Sequence, residues 1–211
     1  MPRKASASPF YEVDLGESAD VAQPAPLEEE DKLEEIREEI TLIPRFWTPT
    51  MVEVIDEKIV LCSGAYDAED VVSESTSVGK PWLFKNMAKV NGGGGYITGA
   101  SITAETTAIA SWFSLFLFTV MPHCALNDDV ANTAPLLIDR MFYVPRLDFN
   151  SCSDLGSGMS EASLSSGNGG LPRAFVCHPE SRDLHGVLVI RNAVDLADST
   201  KLTIKLIVEQ I

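Results

Sequence analysis

The sequence predicts an all-β protein: an antiparallel β-sandwich, jelly-roll-like, with an extended N-terminal arm and one short acidic helix. Three observations predict it. From residue 51 onward apolar residues recur at the two-residue period of strands. Gly-, Asn- and Asp-rich turns break that pattern at short intervals, as in sandwiches and barrels. No long helical segment interrupts the strands, which disfavours a parallel α/β sheet. With 211 residues, one core of ~150 residues plus an appendage is the economical division.

Residues 1–25 are rich in Ser, Ala, Pro and acid with few apolar anchors, and read as an arm that is disordered on its own. Residues 26–50 read as a short amphipathic helix and a linker. Pro26 suits the first helical position, and Glu28 to Asp31 place negative charge where the helix dipole favours it. Leu33, Ile36, Ile40 and Ile43 form one apolar stripe, opposite Glu34, Glu35, Glu38 and Glu39, and Pro44 ends the helix. The stripe either packs on its own domain or docks on a symmetry mate or another protein. With Phe46 and Trp47 it makes up the candidate partner-binding set. It is too short for a coiled coil that is stable alone.

Residues 51–211 form the predicted sandwich. Val52, Val54, Ile59, Val60 and Leu61 open the strand pattern, and Val71-Val72 is a short apolar insert in a polar stretch. Trp82-Leu83-Phe84 starts a strand. Asn91 to Gly95 is a turn leading into the strand Tyr96 to Ile102. Between Ser111 and Val120 both alternating faces are mostly apolar, which marks a central strand covered on two sides. Asn127-Asp128-Asp129 is a loop, Ala134 to Asp139 one short helical turn, and residues 141–149 alternate around Pro145. Residues 150–170 hold five Gly and seven Ser without periodicity and read as a long flexible loop. Arg173 to His178 is expected to pair with Gly186 to Ile190 through a turn at 179–183. Leu202, Ile204, Leu206 and Val208 alternate in a final strand.

Hydrophobic residues make up 45% of the chain, enough for a packed interior. The net charge of −15 repels phosphate backbones, so a nucleic-acid partner is disfavoured. Residues 1–45 carry 12 acids and 5 bases, nearly half of the excess charge in a fifth of the length, and a basic groove on a partner is their natural complement. The opening residues lack the apolar segment of a signal peptide. The stretch Ile109 to Met121 is too short for a bilayer helix, so no membrane association is expected. Four widely spaced cysteines, Cys62, Cys124, Cys152 and Cys177, allow three disulfide connectivities, none favoured, and read as reduced thiols.

The search for chemistry yields little. The glycine run at 92–95 feeds a strand, and no lysine follows it, so it reads as a turn and not a phosphate loop. No G-x-S-x-G elbow occurs, and His123, His178 and His185 stand alone, although His178 and His185 would face each other across the expected hairpin. His123, Cys124, Asp128 and Asp129, and Asp67, Glu69 and Asp70, are loose sets of possible metal ligands without zinc or EF-hand spacing. Asp67, Glu69 and Asp70 read as solvated turn carboxylates, Asp128 and Asp129 point apart on a turn and are no acid/base couple, and Trp112, Phe113, Phe116 and Phe118 read as core. No catalytic residue, metal or cofactor is assigned.

One resemblance bears on role. It runs through Tyr96 to Ile102, Phe113 to Phe118, Pro122, Ala125 to Asp129, Leu171 to Phe175, Leu184 to Val189 and Leu202 to Gln210, covering roughly residues 90–210. These segments resemble a group of tailed-bacteriophage virion structural proteins. The resemblance implies a component of the particle and carries over no active-site residue. With the acidic surface, the compact sandwich and the long arm, the leading reading is a non-enzymatic capsid decoration or cement protein on the exterior of the virion, assembled in the host cytoplasm. The implied partners are the major capsid protein and other copies of the chain, a trimer being favoured. The alternatives are a tail, neck or fibre-base component, or a carbohydrate-binding sandwich with Trp47 or Trp82 as its platform.

Overall fold

A computed structural model describes residues 48–211, apart from 61–63, 108, 166–169 and 198. These residues belong to one unit, Arg45–Ile211. In chain order its strands are β1 (Thr50–Val60), β2 (Ala65–Tyr66), β3 (Val71–Val72), β4 (Trp82–Phe84), β5 (Gly94–Ala104), β6 (Phe113–Phe118), β7 (Tyr143–Phe149), β8 (Ser153–Gly156), β9 (Met159–Leu164), β10 (Arg173–Val176), β11 (Leu184–Ile190), β12 (Val194–Asp195) and β13 (Thr200–Gln210). A 3-10 turn at Leu137–Asp139 is the helical element among the described residues, within the stretch where a helical turn was expected.

The strands form two antiparallel sheets and a small β2–β12 pair, so the protein is all-β and sandwich-like. The first sheet runs β1-β13-β5-β9-β8, with β10 also on β5. The second runs β3-β11-β6-β7, with β4 also on β11. One apolar cluster joins them: Val54, Ile97, Ile102, Leu202, Ile204 and Leu206 from the first sheet meet Trp82, Phe84, Phe113, Leu115, Leu117, Leu184 and Leu188 from the second. Alternation sets this arrangement. Every second residue of β13 from Thr200 to Gln210 is buried, while the residues between are half-exposed. Burying a Leu or Ile side chain contributes ~1.5–3 kcal/mol, so these rows hold the two sheets together.

β6 is buried at all six positions and lies between β11 and β7, the two-sided cover that its apolar faces predict. Phe113, Leu115 and Leu117 face the shared core. Phe116 and Phe118 face outward into a second cluster with Val71, Val187, Val189, Cys124 and Ala134. The segment between β6 and β7 supplies the outer part of that cluster, with Ala125, Leu126 and Leu136 packed against it. Backbone bonds from Asp128 to Ser75, Asp129 to Val71 and Asn132 to Glu69 fasten the segment in place.

Two expectations are corrected. Residues 153–164 are the β8–β9 hairpin, not a loop; β9 pairs with β5 and buries Ser160, Ala162 and Leu164. Small and polar side chains occupy the buried row, so its alternation is invisible to hydropathy. β10 does not pair with β11. It joins β5 in the first sheet, while β11 pairs with β3, β4 and β6 in the second, so the 179–183 turn carries the chain between sheets.

Candidate functional site

The histidines singled out for chemistry are placed apart, whereas Asp67, Asp70 and Asp129 come near enough for their charges to act on one another. His178 and His185 do not face each other: His185 lies opposite Phe118 and Leu83 in its sheet, and His178 stacks near Phe142 with ring centroids 6.4 Å apart. The His185 Nδ1 atom is buried without a partner, and burial holds its imidazole below the ordinary value. His123 pairs with Asp139 at 2.7 Å. Asp70 Oδ2 accepts the Asp67 N–H at 2.7 Å, and Glu69 is ion-paired with Arg191. Among the described residues no group of three His, Cys, Asp or Glu side chains is gathered as a metal site.

Of the three carboxylates read as solvated, Asp70 is buried at 8% exposure, and Asp128 on its turn is only 1% exposed. The loop covering the second sheet turns it inward, where its Oδ1 accepts the Tyr66 hydroxyl at 2.7 Å and the Ser73 N–H at 2.8 Å. Burial pushes its carboxyl above the ordinary value, against the pull of those two hydrogen bonds. Cys124, Cys152 and Cys177 are free and buried, with thiols pushed up to about 11 by burial. Cys62 lies outside the described residues, as do Leu33, Ile36, Ile40, Ile43, Phe46 and Trp47.

Two surface features remain. The first is the outer edge of β1. β1 ends the first sheet, and among the described residues no strand pairs with that edge. An edge strand of this length presents alternate backbone N–H and C=O groups to an incoming chain. Two recesses lie along it, one of about 610 Å³ beside Thr50 to Val54 and one of about 870 Å³ beside Asp56 to Ile59. Lys85, Lys89 and Arg182 line the first recess with Glu53, which makes that end basic. In the second, Lys58 is buried beneath the edge, ion-paired with Glu74 and bonded to the Lys80 carbonyl. Burial holds its ammonium below the ordinary value, opposed by Glu74. The outer face of β1 exposes Met51, Ile55 and Ile59 between Glu53 and Glu57, and Glu57 is tied to Lys201 of β13 at 2.8 Å.

The second feature is a cleft of about 430 Å³ at the end of the second sheet that the covering segment leaves open. Trp112, expected in the core, is 55% exposed on its rim, whereas Trp82, weighed as a surface platform, is 1% exposed and donates its indole N–H to the Val72 carbonyl at 3.2 Å. The physical reason is strand alternation: Trp112 shares the outward row of Ser114, Phe116 and Phe118, and the cover reaches only the latter two. Comparisons with protein-family models, with curated proteins and with solved structures found no match to this chain.

Proposed function

We propose that this chain is a non-enzymatic structural protein of a tailed-phage particle, a decoration or cement protein that binds the major capsid protein on the outer shell and stabilises it. The single observation that carries an assembly role is the open edge of β1, with a recess on either half and exposed Met51, Ile55 and Ile59 beside it. An extended segment of a neighbouring subunit fits such an edge by adding a strand: main-chain hydrogen bonds supply affinity and the flanking recesses take alternate side chains. The jelly-roll-like description belongs to the same proposal; strands distant in the chain lie side by side, β1 and β5 both flanking β13. A trimer arrayed on the capsid exterior adds avidity, since each docked copy raises the effective concentration of the next. The N-terminal segment, with its excess of acid, is the part assigned to reach a basic surface on the shell.

The test is stoichiometry in purified particles by quantitative mass spectrometry. Hundreds of copies per particle fit a decoration protein. A few to tens place it in the tail, neck or fibre base, and its absence from particles removes the proposal altogether. Deleting residues 1–45 is expected to abolish capsid binding while the β unit still melts cooperatively.

A further inference from the structure

We propose that the Trp112 cleft binds a neutral hydroxylated ring, a pyranose unit of a glycan. The indole is its stacking platform, and the Arg146–Asp148–Ser114–Arg191 network its polar wall. This does not depend on the particle assignment.

The cleft is built and held. The Trp112 carbonyl accepts the Arg191 N–H at 2.8 Å and the Ser111 hydroxyl at 3.1 Å, which fixes the backbone under the indole. Ser114 donates its hydroxyl proton to Asp148 and accepts from Arg191 Nε at 2.7 Å. Asp148 takes the Arg146 Nε proton at 2.9 Å on its other oxygen. Arg191 is further ion-paired with Glu69. Both guanidiniums lie against buried Phe116, at 5.4 Å for Arg191 and 5.9 Å for Arg146 from the ring centroid to the guanidinium carbon. Cation–π contact and the carboxylates thus orient the two forks before any ligand arrives, which lowers the entropy lost on binding.

The chemistry of the wall selects the ligand. Glu69 and Asp148 balance Arg146 and Arg191, so the cleft carries no formal excess charge. An anion such as a phosphate or sulfate requires uncompensated cations, and here each guanidinium already has its carboxylate. The Asn150 amide on the rim supplies a donor and an acceptor together, as neighbouring hydroxyls require. An exposed indole beside such groups suits a ligand with one apolar face and a polar rim. A pyranose has both: its C–H groups meet the negative face of the ring, and its hydroxyls reach the amide, the carboxylate and the guanidinium. The volume of about 430 Å³ falls in the range of small-ligand sites.

The full chain, labelled with 5-fluorotryptophan, should be screened on an array of neutral and anionic glycans and followed by fluorine NMR with the neutral oligosaccharides that bind. W112F assigns the Trp112 resonance. The expected result is binding of at least one neutral glycan, with the Trp112 resonance moving and that of buried Trp82 unmoved. W112A should weaken binding at least about tenfold with an unchanged thermal melt, because its side chain is more than half exposed, and R146A should weaken binding as well. Binding of no neutral glycan, binding confined to sialylated or sulfated glycans, or full affinity in W112A would each overturn the proposal.

Discussion

Asp128 links the loop over the second sheet to the inside of the molecule, and its two carboxylate oxygens are unequal. Oδ1 takes both hydrogen bonds, while Oδ2 is buried with no partner. Because burial raises its folded-state value above the ordinary 3.8, ionisation works against folding. That penalty is absent at pH below the ordinary value, grows as pH rises toward the folded-state value, and is constant beyond it. Asp128→Asn removes the charge and keeps an acceptor, so its stability relative to the natural chain should rise as pH increases above the ordinary 3.8. Asp128→Ala removes the acceptor of the Tyr66 hydroxyl and of the Ser73 N–H, and should lose ~1–3 kcal/mol across that rise in pH. Thermal melts of the three proteins over that span check both; a D128N difference that falls with rising pH contradicts the assignment. Residues 127–129 read as an ordinary polar turn in the sequence, because the acceptor role depends on Tyr66 and Ser73, which are remote along the chain. Trp112 was hidden for a related reason: period two assigns it to a face, but only the reach of the 119–142 segment decides whether that face is covered.

Among the elements, the β8–β9 hairpin tests backbone conformation separately from packing. Gly156 pairs with Met159, leaving Ser157 at φ 57 and Gly158 at φ 78, the positive pair that a two-residue type I′ turn requires. A Cβ at Gly158 would meet nothing within 4 Å. Gly158→Ala should therefore lose ~1 kcal/mol through backbone strain alone. Gly186 is the contrast, since a Cβ there would come within 2.9 Å of Leu115 Cδ1 and 3.0 Å of Phe84 Cε2. Gly186→Ala should lose ~1–3 kcal/mol through crowding of the core. Urea unfolding of both variants checks the two values; no loss in Gly158→Ala would mean that the turn is not of this type. Strands β6 and β13 were legible because their alternation is carried by large apolar residues. β9 was not, since small Ser160 and Ala162 fill its buried row while Met159 lies on the exposed one, and the partner of β10 is set by the whole sheet, not by the turn beside it.

At the scale of the molecule, Cys124, Cys152 and Cys177 report on whether the body opens as one. They lie on the covering segment, ahead of β8 and after β10, and all three are buried. With thiols at about 11, the thiolate that reacts with alkylating reagents is scarce at neutral pH even before access is considered. Maleimide labelling of the native chain at pH 7 should leave these three unmodified. In increasing urea they should react together at the global transition. Early labelling of Cys124 alone would show that the cover opens independently of the two sheets. The sandwich-like body was legible as a whole, because composition and period suffice to specify a fold class; the open cleft and the edge recesses were not, since they are defined by what fails to cover them.

The pairing of β1 with β13 along its full length has a consequence for synthesis. A ribosome delivers β1 early and its neighbour only near residue 200, so at ~5–20 residues per second the wait is on the order of ten to thirty seconds. Through that interval Val52, Val54, Ile55 and Ile59 are held without their lattice of hydrogen bonds. Nascent chains of this protein are therefore natural clients for a chaperone, and slower, cooler expression should favour soluble product over inclusion bodies.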